Sequence, residues 1–172
     1  MNPVAKTAIR YGLIIVTAAV LQRGIFAEMR IDGAVPDALL ILAVAAGVAG
    51  GSQRGAVVGF CAGLTLDLMV TTPFGMGAVC YLAAGALAGA LESSIVRSAR
   101  WLTVAIGVLS AVVGVALFAL LGTLLGQALM IGRHLLVVMV VVALSTAVLV
   151  LPFARVCRWA DKDADHFQTA VR

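Results

Sequence analysis

Two carboxylates set in apolar sequence are the first residues to ask for a chemical role. Asp67 lies twelve residues into the apolar stretch 55–70, about 18 Å along a helix. A carboxylate in so apolar a segment is costly and needs a cation, a hydroxyl or water beside it. Its late position in a helix also sets it against the helix dipole. Arg23, near the far end of stretch 7–26, lies at a compatible depth, and Thr65, Thr71 and Thr72 are nearby donors. Asp67 reads as an interhelical tie or as a proton or ion site. Asp37 follows Pro36 at the start of another apolar stretch. Proline in the first turn and a carboxylate near a helix N-terminus are ordinary helix-start chemistry, with a contact to a partner as the alternative.

Catalysis asks for more than isolated acids. The sequence holds no HExxH, no GxSxG and no pair of carboxylates spaced for two metals. Cys61, Cys80 and Cys157 are too scattered for a CxxC or zinc pattern, and His134 and His166 are peripheral. The expectation is a non-enzymatic chain with no metal and no cofactor. Polar residues within the apolar stretches are also fewer than a transporter of a polar solute gathers at the membrane midplane.

The elements that must position these residues follow from composition. Of 172 residues, 63% are hydrophobic and 12% charged, whereas soluble domains carry about 25% charged residues. A water-soluble fold of this size cannot hide so much apolar side chain, and the same figures exclude a disordered chain. The expectation is a single-domain, all-α integral membrane protein, with no alternation of period two that would mark a barrel strand. Six spans are read at about 7–26, 36–51, 55–70, 74–91, 101–127 and 134–153, with a charged tail over 154–172.

The formal net charge of +4 is topology, not nucleic-acid affinity. With the N-terminus cytoplasmic, Lys6, Arg10, Arg54, Arg97, Arg100, Arg155, Arg158, Lys162 and Arg172 lie inside, and Arg23, Arg30 and Arg133 outside, 9 against 3. The expected location is the bacterial inner membrane, multi-pass, with both termini cytoplasmic. The first span is expected to be retained, because Ile25 is too large for the small position of a signal-peptidase cut after Ala27. The second and third spans, about 16 residues each, reach only about 24 Å and either cross a thinned bilayer or form a re-entrant hairpin. The connections, of which Glu28–Gly33 is the longest outer one, are too short to fold into a soluble domain. The tail from Asp161 to His166 reads as a solvated end, with a contact for a cytoplasmic partner as the alternative.

Glycines recur every four residues at Gly47, Gly51, Gly55, Gly59 and Gly63, and again at Gly85 and Gly89 and at Gly122 and Gly126. On the third span, Gly55, Gly59 and Gly63 form a smooth strip, the kind of surface on which helices in lipid approach closely. The strip packs within the chain or docks a partner helix.

The stretch from Val35 to Gly89 resembles the MreD family of bacterial rod shape-determining membrane proteins. The carrying residues are Pro36-Asp37-Ala38-Leu39-Leu40, Arg54-Gly55-Ala56-Val57-Val58-Gly59-Phe60, and Ala62-Gly63-Leu64-Thr65-Leu66-Asp67. Thr72-Pro73-Phe74-Gly75 follows, then Tyr81-Leu82 leading to Gly85 and Gly89. The match covers about a third of the chain. It implies a non-catalytic subunit of the cell-elongation machinery that binds the periplasmic scaffold MreC and is linked to MreB and to a RodA-type glycosyltransferase with its class B transpeptidase. It also implies a compact six-helix body similar to the substrate-binding subunits of energy-coupling-factor transporters. The alternative function is a small-solute-binding subunit of such a transporter. The chain departs from those subunits on its first helix, where Ala18 and Ala19 are followed four residues on by Gln22 and Arg23 instead of an AxxxA docking pattern.

Overall fold

The computed structural model describes residues 3–26, 35–70, 75–94, 100–126 and 133–170. Among these residues the fold is entirely helical: α1 (Pro3–Leu21), continued by a π-helical segment (Gln22–Phe26), then α2 (Ala38–Gly50), α3 (Ser52–Met69), α4 (Met76–Ser94), α5 (Arg100–Leu124) and α6 (Arg133–Ala170). Four of the helical stretches are long and apolar enough to cross a membrane: Ala5–Gly24, Met76–Ser94, Trp101–Leu124 and Leu135–Asp161. The two stretches flagged as short in the sequence become α2, a 13-residue apolar helix, and α3, which at 18 residues carries Gln53, Arg54 and Asp67 among its apolar positions.

The enclosure of α2 organises the molecule. From Ala38 to Val48 every residue of α2 is buried, and α3, α4, α5, α6 and α1 all pack against it. An amphipathic helix keeps one wet or lipid-facing stripe, whereas α2 is apolar all round, as suits a central strut. A single residue, Gly51, joins it to α3. Its φ of +85° lies in the left-handed region that glycine enters without the Cβ penalty, and this lets α3 fold straight back.

The return of α3 brings its end to the start of α4, so consecutive helices run in opposite directions. The end of the bundle at Asp37 therefore gathers the last turns of α1 and α3 with the first turns of α2 and α4. The opposite end, at Arg54, gathers the start of α3 with the end of α6. On their outer faces α1 and α6 expose Ile9, Leu13, Val16 and Val20, and Leu136, Val140, Leu144 and Val148, respectively. These are regular apolar stripes of the kind a lipid environment accepts.

The observed α6 extends well past the span read as 134–153. Pro152 lies inside it. A proline withdraws one backbone donor and crowds the preceding turn, yet the apolar face runs on through it: Thr146, Val150, Ala154, Cys157 and Asp161 are all buried at helical spacing.

Candidate functional site

At the Asp37 end, two carboxylates hold helix starts. Asp37 is the N-cap of α2: its Oδ1 accepts from the Leu39 and Leu40 N–H groups, each at 3.1 Å. Its Oδ2 accepts from the Tyr81 hydroxyl on α4. The next exposed donor of α2, the Ala38 N–H, is taken by Gln22 Oε1 from the end of α1 at 2.6 Å. Three helices thus meet at one helix start, and the first-turn N–H groups that no helix can bond internally are filled by side chains.

Asp67 does the corresponding work for α4. It is 5% exposed, and its carboxylate accepts from the Gly75 and Gly77 N–H groups at 2.9 Å and from the Ala78 N–H at 3.2 Å. The dipole argument that made Asp67 costly at the end of its own helix is reversed here, because the same carboxylate faces the positive end of the next one. Gly75 has φ +95°, a conformation that favours glycine and turns its N–H into the carboxylate. The expected pairing with Arg23 is replaced by these main-chain donors. Arg23 nevertheless reaches the same corner, donating to the Met69 carbonyl two residues beyond Asp67. Thr65 donates to the Cys61 carbonyl of its own helix at 2.9 Å. Thr71, Thr72 and the loop 28–33 lie outside the described residues.

Between the two ends, the glycine strip of α3 faces α4. A Cβ at Gly59 would meet the Tyr81 carbonyl, one at Gly63 the Gly77 carbonyl and Ala78, and one at Gly55 the Gly85 carbonyl and Gly47. From α4, Gly89 meets Gly51 and Ser52 in the same way. Main chain lies directly on main chain along this seam, so the strip is used inside the chain.

The Arg54 end carries a cluster where the sequence suggests only a topology marker and a charged tail. Asp161 is 3% exposed. It pairs with Arg54 of α3 at 3.0 Å and accepts from the Tyr11 hydroxyl of α1 at 3.0 Å. Arg10 donates to the Ala160 carbonyl at 3.4 Å and stacks over Trp159, 5.0 Å from the ring centroid. The signal was present in the spacing: continuing the apolar face of α6 from Val150 through Ala154 and Cys157 lands on Asp161.

The chemistry of both ends is tying. Asp37 and Asp67 fill helix starts, and Asp161 closes an ion pair. Among the described residues, no group of three His, Cys, Asp or Glu could hold a metal ion. The sequence matches no protein-family model, no curated protein and no solved structure.

Proposed function

We propose that this chain is a non-catalytic, six-crossing membrane scaffold of the MreD type, with both termini cytoplasmic, that binds an MreC-like periplasmic protein and helps organise side-wall peptidoglycan synthesis. The observation that carries the reading is the coincidence of the resemblance with one contact set. Asp37, Tyr81, Asp67, Gly75, Gly55, Gly59, Gly63, Gly85 and Gly89, all quoted for the family pattern, are the residues that lock α2, α3 and α4 together. Within that pattern Asp37, Tyr81 and Asp67 secure helix starts, and Gly55, Gly59, Gly63, Gly85 and Gly89 make close packing, an arrangement that specifies a shape, as a scaffold requires. The alternating direction of the six helices supports a six-crossing topology, in which the shorter α2 and α3 would cross as well. The lysines and arginines at the Arg54 end support the orientation.

The test is affinity capture of the tagged full-length chain from crosslinked membranes of its rod-shaped host, paired with depletion. The expected outcome is recovery of a periplasmic coiled-coil protein with one N-terminal span, and rounding of the cells on depletion. Unchanged rods with no such partner overturn the proposal. A small solute that survives purification with the chain would favour the transporter-subunit alternative.

A further inference from the structure

The surface where α1 and α6 meet on the Arg54 side carries several cations. On α1, Lys6 and Arg10 are one turn apart and share a face. On α6, Arg155, Arg158 and Trp159 fall within about one turn, and all three are exposed. Arg10 fastens the two helices through its stack on Trp159 and its bond to the Ala160 carbonyl. The neighbouring carboxylate of Asp161 is buried and held by Arg54 and Tyr11, so its charge is answered inside the bundle. Beside them on α1, Ile9 and Leu13 expose apolar side chains.

We propose that this basic surface binds one anionic phospholipid by its phosphate. Arg155 and Arg158 supply charge-assisted donors, a role for which the planar guanidinium is well shaped. Lys6 adds charge one turn from Arg10. Trp159 is the interfacial wall, in keeping with the preference of indole for the headgroup layer. Basic clusters at the membrane surface attract anionic headgroups, and the exposed apolar side chains of Ile9 and Leu13 beside Arg10 favour a lipid over a free anion. The inference rests on the chain lying in a bilayer and not on the family reading, so the loss of either leaves the other standing.

Native mass spectrometry of the full-length protein in detergent tests it, by titration with dioleoyl phosphatidylglycerol and, separately, with dioleoyl phosphatidylcholine. The first phosphatidylglycerol is expected to bind more tightly than the first phosphatidylcholine, and millimolar inorganic phosphate is expected to leave it in place. The double variant Arg155→Gln/Arg158→Gln weakens phosphatidylglycerol binding roughly 25-fold, from about fivefold per basic residue, and leaves phosphatidylcholine unaffected. Arg155→Lys/Arg158→Lys retains most of the preference. Equal affinity for the two lipids in the unaltered protein overturns the proposal without any variant. Displacement by inorganic phosphate overturns it in favour of a soluble anion, and an unchanged affinity in the double glutamine variant overturns the assignment of Arg155 and Arg158.

Discussion

Asp67 accepts three main-chain N–H groups from α4, so its removal strands donors that lie in a buried corner. Asp67→Ala is expected to destabilise the fold by about 1–3 kcal/mol, and Asp67→Glu by less, since a carboxylate remains. The midpoint of thermal unfolding in detergent ranks the two, and equal midpoints for Asp67→Ala and the unaltered protein would remove Asp67 from the locking set. Tyr81→Phe keeps the ring and deletes only the donor to Asp37, for an expected loss of about 1 kcal/mol by the same measurement. Asp37 was legible in sequence because its chemistry is local: the residue caps the helix that begins beside it. The partners of Asp67 were not, because its donors are peptide groups, which every residue carries. Side-chain reasoning pointed to Arg23 instead, which reaches the same corner but bonds a carbonyl.

The α3–α4 pair depends on bare main chain. At Gly59 even a methyl group would collide with the Tyr81 carbonyl, and a carbonyl cannot rotate aside as a side chain can. Gly59→Ala is expected to cost about 1–3 kcal/mol, against a change within about 0.5 kcal/mol for Val57→Ala on the exposed face of the same helix. Comparison of unfolding midpoints for the two variants reads this directly. The four-residue glycine repeat was visible in the sequence, but the choice between an internal and an external partner was not. That choice depends on α4 carrying its own small residues at Gly77, Gly85 and Gly89 in the antiparallel register. The extent of α6 was not legible from hydropathy, because the apolar stretch stops at Phe153 whereas the buried face continues past Pro152 to Asp161.

Across the whole molecule, the peripheral α1 is held at two levels by polar contacts: Arg10 and Tyr11 near its middle, and Gln22 and Arg23 just past its last turn. Breaking the buried pair from one side leaves a charge inside. Asp161→Leu is expected to cost about 2–4 kcal/mol, somewhat below the range for a fully buried pair because Arg54 is partly exposed, and Arg54→Met/Asp161→Leu is expected to recover part of that loss. The unfolding midpoints of the single and double variants give the comparison, and a double variant no better than the single would remove the ion pair as the cause. Orientation is tested by labelling a cysteine at Gln53 in a Cys61→Ala background, where the remaining Cys80 and Cys157 are buried. Protection from an impermeant thiol reagent in intact cells, with labelling after lysis, is the expected result for a cytoplasmic α2–α3 corner.

The complete enclosure of α2 has a consequence for biosynthesis. The ribosome delivers this helix before any residue of α3, α4, α5 or α6, and the hydroxyl that steadies Asp37 belongs to Tyr81, forty-four positions later. The nascent chain therefore carries its future centre on the outside, with one helix start only half secured, until translation reaches α4 and the later segments close around it.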